Sequence, residues 1–182
     1  AQPDQAFNVQ GYSYKIKYVS PSGDKITLAL ADTLVPPKEV LSTGIPAPDF
    51  TSTAINGQIV ELTAWQGKVI LVDFWATWCK PWEKELRNLK NVYFRYHRQG
   101  FEIIGVSLDY DLDTLQEYIK KNRIPWPQIA DGQGWSMPLV QLYRVHALPK
   151  NFLIDRNGII RYKDVFGRNL STKVRELIHE PF

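Results

Sequence analysis

The sequence predicts an α/β fold: a mixed central sheet flanked by helices, with an extra β-hairpin at the N-terminus. Three observations carry this. Two nearly continuous apolar runs, "KVILVDFW" (68–75) and "FEIIGVSL" (101–108), have the character of central strands covered on both faces. An amphipathic helical pattern lies between them, which requires a parallel pair with a right-handed crossover. Near the end, "NFLID" and "IIRYKDV" flank "RNG" (156–158), the signal of an antiparallel hairpin. A mixed sheet between helices satisfies all three.

The elements follow in order. "GYSYKIKYV" (11–19) and "KITLALA" (25–31) alternate in polarity around the turn "SPSGD", which predicts the N-terminal hairpin. "LVPPKEVLSTGIPAP" (34–48) is proline-rich and reads as an irregular link. "QIVEL" follows the turn pair Asn56-Gly57 and predicts a short strand. After the first apolar strand a helix is expected from about Cys79 to about His97, with Leu86, Leu89, Val92, Tyr93 and Tyr96 at helical spacing and a glycine stop in "RQG". "DLDTLQEYIKKN" (111–122) is a helix with acids at its start and lysines at its end. "WPQIAD" (126–131) is a short strand and "SMPLVQLYRV" (136–145) a helix with Pro138 in its first turn. "STKVRELIH" (171–179) closes the chain as a helix. The expected division is an N-terminal hairpin and linker, residues 1–44, followed by one α/β domain, residues 45–182.

The totals limit the function classes. A chain of 182 residues can bury one full core. Its formal charge of +3 is mild, and the Lys and Arg residues are scattered, which argues against nucleic-acid binding. No apolar run approaches a membrane span. His97, His146 and His179 stand far apart and none pairs with a cysteine at zinc-like spacing, so neither metal nor cofactor is expected. The start "AQPDQ" fits the end left by signal-peptide removal, or a trimmed chain. The oligomeric state is not legible.

The chain has one cysteine, Cys79, so it can form no disulfide within itself. Cys79 follows a buried strand and opens a helix. The first N–H groups of a helix lack intrahelical partners and carry partial positive charge, and a sulfur placed there is favoured as thiolate, the nucleophilic form. Pro81 suits the first turn. Lys80 adds a positive charge nearby and Glu83 opposes it. The plainer reading is a small buried apolar residue. The strand-to-helix junction and the flanking Trp75, Trp78 and Pro81 favour the reactive one.

"VDFWATWCKP" resembles the active-site segment of the thioredoxin superfamily, built around W-C-x-P-C. "APDF" (47–50), "GQIVELTAWQGKVILVDFWATWC" (57–79), "GFEIIGVSLD" (100–109) and "YRVHALPKNFLIDRNGII" (143–160) resemble its TlpA/ResA-like and AhpC/TSA-like branch of membrane-anchored or secreted bacterial proteins. The resemblance spans about residues 45–180 and implies a thioredoxin-like fold, an extracytoplasmic location, and protein or small-molecule thiols and disulfides as partners. It implies that Cys79 is the attacking cysteine and that Pro149 is a cis-proline beside the sulfur. Leu148 would then pair its backbone with an incoming peptide. Asp73 and Glu85 match acids that move protons to or from the second cysteine; each could equally be structural. Trp75, Trp78, Lys80 and Pro81 complete the expected substrate-contacting set.

The departures matter more. The second cysteine is replaced by Trp82, the basic residue after it by Glu83, and a helix-kinking proline by Arg87. A dithiol enzyme resolves its mixed disulfide with the second sulfur. Here that step is absent. Three readings stay open: a monothiol oxidoreductase acting through Cys79, a redox-inactive module holding a peptide in a cleft of Trp75, Trp78, Trp82 and Leu148, and a one-cysteine peroxidase. The third lacks its P-x-x-x-T-x-x-C signature, since Ala76 and Val72 stand where Thr and Pro should, although Thr77 lies nearby.

Overall fold

A computed structural model describes the backbone of residues 7–9, 12–19 and 26–30 and the whole of residues 41–181. The chain divides into two compact units, Ala1–Val40 and Leu41–Phe182. The first contains an antiparallel sheet of β1 (Phe7–Val9), β2 (Tyr12–Val19) and β3 (Ile26–Leu30) in that order. The β2–β3 hairpin is the one the alternation predicts. β1 is an addition, and three residues are too few to show a period. The turn at 20–24 and the inward or outward aim of the alternating side chains lie outside the described residues.

The second unit begins with a small antiparallel pair, β4 (Thr51–Thr53) and β5 (Ile59–Glu61). Its connection uses Asn56-Gly57: the Asn56 side chain accepts from Gln58 N–H, and Gly57 takes φ +84°, a backbone conformation open to glycine at little cost. The central sheet has the order β10-β9-β6-β7-β8. β6 (Val69–Trp75) and β7 (Phe101–Ser107) run parallel at its middle, and every residue of both is buried. β8 (Gln128–Ile129) extends the parallel side. β9 (Lys150–Ile154) pairs antiparallel with β6 and with β10 (Ile160–Lys163).

Of the four α-helices among the described residues, three follow the sequence expectation closely or lengthen it. α1 (Lys80–Tyr96) buries Trp82, Leu86, Leu89, Val92, Tyr93 and Tyr96, then ends through a 3-10 turn at Gly100. α2 (Leu112–Asn122) is capped by Asp111, whose carboxylate accepts from the Asp113 and Thr114 N–H groups, as the orphan donors of a helix start require. α4 (Gly167–His179) starts four residues before the predicted Ser171. The fourth, α3, covers only Pro138–Leu142, where 136–145 was expected. Residues 134–136 form a separate 3-10 turn, and Arg144 turns left-handed at φ 51°. Tyr143 explains the stop: its ring packs into the core on Phe74 and Phe152, and its hydroxyl donates to the Pro48 carbonyl. No helix among the described residues is long and apolar enough to cross a membrane.

Candidate functional site

β6 delivers the chain to the C-terminal edge of the sheet. Residues 76–78 form a short loop, and Cys79 is the residue before α1, with φ −82° and ψ 89°. Its N–H donates to the Ala76 carbonyl at 3.0 Å and its carbonyl accepts from Glu83 at 3.1 Å. Cys79 is only 5% exposed. Around it Trp78 is half exposed and Lys80 and Pro81 face solvent. Lys80 pairs with Glu83 at 3.1 Å, so the two opposed charges expected near the sulfur largely offset each other.

The loop is clamped by a residue the sequence reading did not single out. Asp109, buried, accepts from the Thr77 backbone N–H at 3.0 Å and from the Thr77 hydroxyl at 2.6 Å. Ser107 holds the same carboxylate from behind at 2.6 Å. The available signal was registration: β6 and β7 run parallel with Trp75 opposite Ser107, so the residues just past β7 must lie beside the loop that follows β6.

Trp82 does not border a cleft. It is fully buried and its ring stacks on that of Trp75, centroids 3.9 Å apart and planes 17° from parallel. Its indole N–H donates to Asp73 Oδ2 at 2.7 Å. Trp75 is equally buried and donates its own N–H to Gln128 Oε1 at 2.8 Å. Gln128 reaches that position because residue 105 is glycine: a Cβ there would lie 2.2 Å from the Gln128 amide oxygen. The expected groove of three tryptophans is therefore corrected. Two of the three form an internal stack because the strand end and the first helical turn face each other across the core, and only Trp78 offers surface to a ligand.

Asp73 is fully buried, and its second oxygen, Oδ1, has no hydrogen-bond partner. Burial pushes its pKa up to about 7; the Trp82 hydrogen bond pulls against this and the nearby Glu85 charge adds to it. Glu85 is half-buried and its Oε2 accepts from the Gly167 N–H at 2.9 Å. It thereby supplies the first N–H of α4 with a partner that α4's own N-cap, Phe166, does not give.

The Leu148–Pro149 peptide bond is cis. Lys150 pairs with Phe74, so Pro149 stands at the sheet edge where β6 hands over to the Cys79 loop. Leu148 and Pro149 are both half-buried. The structure thus brings Cys79, Trp78, Lys80, Pro81, Leu148 and Pro149 to one edge, with Asp73, Trp75 and Trp82 beneath. Glu85 faces α4. No group of three His, Cys, Asp or Glu side chains able to hold a metal occurs among the described residues.

A parallel strand pair feeding a cysteine at a helix start, flanked by an antiparallel strand that opens on a cis-proline, defines a thioredoxin-fold domain. The solved thioredoxin domain of a thiol-disulfide oxidoreductase from Bacteroides vulgatus agrees, with a TM-score of 0.70 and 29% identity over 76% of this chain and 99% of that one. Among curated relatives, the thiol-disulfide oxidoreductase ResA of Bacillus subtilis is 32% identical over 143 residues, 79% of this chain and 75% of that protein. ResA of Bacillus thuringiensis subsp. konkukian is 30% identical over 141 residues, 78% and 79% of the two chains. Residues 43–163 match the AhpC/TSA family. The chain belongs to that family, as a ResA-like member with the thioredoxin fold.

Proposed function

We propose that this chain is a thiol–disulfide exchange protein working through Cys79 alone. One observation carries the reading. The place of a second sulfur is filled by a buried indole tied to Asp73, while Cys79 keeps its position at the start of α1 among exposed Trp78, Lys80 and Pro81. The Cys79 thiolate attacks one sulfur of a partner disulfide, the S–S bond breaks, and the other half leaves as a thiolate. A second, external thiolate then attacks the mixed disulfide and frees Cys79. The sum is exchange of one disulfide for another, with no net oxidation or reduction. Trp78, Lys80, Pro81, Leu148 and Pro149 form the face that receives the partner, a protein or small-molecule thiol. Proton-moving roles for Asp73 and Glu85 would serve a second cysteine; with Trp82 in its place, both act as positioning residues, one holding the indole and the other α4. The resemblance to the TlpA/ResA-like branch supports an extracytoplasmic setting.

The low exposure of Cys79 favours a second reading, a redox-inactive module that binds partners through the same face. Reaction of the folded protein with 5,5′-dithiobis(2-nitrobenzoate) separates the two. Monothiol exchange releases one equivalent of thionitrobenzoate and leaves a mixed disulfide that persists until glutathione is added. A dithiol enzyme would release a second equivalent unaided. No release from the native fold, with full release after unfolding, would establish the binding module instead.

A further inference from the structure

Helices α1 and α4 pack against each other and are pinned at one point. The Gly167 N–H donates to Glu85 and the Gly167 carbonyl accepts from the Asn88 amide at 3.0 Å. Beyond this joint the helices leave a groove of about 300 Å³. Arg95 enters it from α1, and Arg168 and Arg175 enter from α4. Among the described residues, no Asp or Glu lines it. Among the described residues, none of the three guanidiniums has an ion-pair partner. The chain does pair arginine elsewhere. Arg161 grips both oxygens of Glu180 at 2.7 and 2.9 Å and also bonds Asp155. Three like charges facing one groove without a counter-charge repel one another, and a bound anion relieves that repulsion.

The remaining lining narrows the ligand. Asn91, Ser171 and Thr172 add neutral polar groups, and the apolar members, Val92 and Tyr96, are already buried. A protein partner finds little apolar surface to bury here, whereas a compact oxyanion finds guanidinium forks suited to bidentate bonding. We propose that the α1–α4 groove binds a multiply charged phosphate-type oxyanion. Arg95 lies sixteen residues along α1 from Cys79, roughly 24 Å at the helical rise, so the site stands apart from the thiol and from any reading of its chemistry.

Titration with pyrophosphate at constant ionic strength, followed by amide and arginine side-chain NMR shifts, tests it. Saturable shifts at Arg95, Ser171 and Thr172 with a Kd below about 1 mM are expected. The double variant Arg95→Ala, Arg175→Ala should weaken binding at least tenfold with the far-UV spectrum unchanged, because the Gly167 joint is left intact. Arg123→Ala, just past the end of α2, should bind as the parent does. Parallel sedimentation with phosphatidate vesicles distinguishes the source of the phosphate: binding there but not to pyrophosphate assigns a lipid headgroup. Shifts linear to 10 mM with no vesicle binding would overturn the proposal, as would binding that survives in the double variant.

Discussion

Trp82 gives the site its character through two contacts that no cysteine could make: the stack on Trp75 and the hydrogen bond to Asp73. A side chain of this size, fully buried, contributes substantially to the core, and truncating such a residue typically costs about 3–5 kcal/mol. Trp82→Cys is therefore expected to act in two directions at once. It should restore a dithiol motif, so that insulin reduction with dithiothreitol rises at least tenfold over a parent that is nearly inactive. It should also lower Tm by about 6–20 °C, at 2–4 °C per kcal/mol for a domain of this size. Activity and melting temperature measured on the same preparation check both. A parent already as active as its variant would refute the need for a resolving sulfur. Either residue of the pair is legible in the sequence as a candidate. That Trp82 bonds Asp73 is not, because the contact joins a strand to a helix across a loop whose path depends on Asp109.

At the scale of elements, the joint between α1 and α4 explains both a helix boundary and a site residue. α4 begins at Gly167 because Glu85, from another helix, accepts its first N–H. Loss of a helix-capping acceptor typically costs about 0.5–2 kcal/mol. Glu85→Ala should lower Tm by about 1–8 °C and raise hydrogen exchange at the start of α4, while leaving the rate of Cys79 alkylation by iodoacetamide unchanged. A large change in that rate, with Tm unmoved, would return Glu85 to an acid–base role at the sulfur. The same joint shows what the sequence could and could not reveal. β6 and β7 were legible because strands buried on both faces are written as apolar runs. The start of α2 was legible because Asp111 caps it from within its own segment. The start of α4 was read four residues late because its cap is tertiary. α3 was read too long because nothing in "QLYRV" shows that Tyr143 leaves the helix to fill the core. β4 was missed because "TST" is polar and mostly exposed, without the apolar alternation that marks a strand.

For the molecule as a whole, Asp73 ties the site to global stability. Its pKa is near 7 when folded, against the 3.8 of an ordinary aspartate. The folded state therefore holds a proton that the unfolded chain has already released over the interval between these values. Below pH 4 both states are protonated and Asp73 contributes no difference. As pH rises from 4 to 7 the folded state alone resists deprotonation and stability falls, and above 7 the loss is complete. At ~1.4 kcal/mol per pH unit, the loss between pH 5 and pH 8 is at most about 3 kcal/mol, or about 6–12 °C in Tm. The informative quantity is the difference between the parent and Asp73→Asn, because the comparison isolates the one carboxylate. The variant should melt higher at pH 8 and show a flatter Tm profile. Trp82→Phe keeps a ring in the core but removes the hydrogen bond that favours the charged form. Its decline should therefore extend to higher pH than the parent's. Parallel Tm profiles for the parent and Asp73→Asn from pH 5 to 8 would show that the buried carboxylate does not change its charge in that range. The indole would then hold Asp73 ionised throughout.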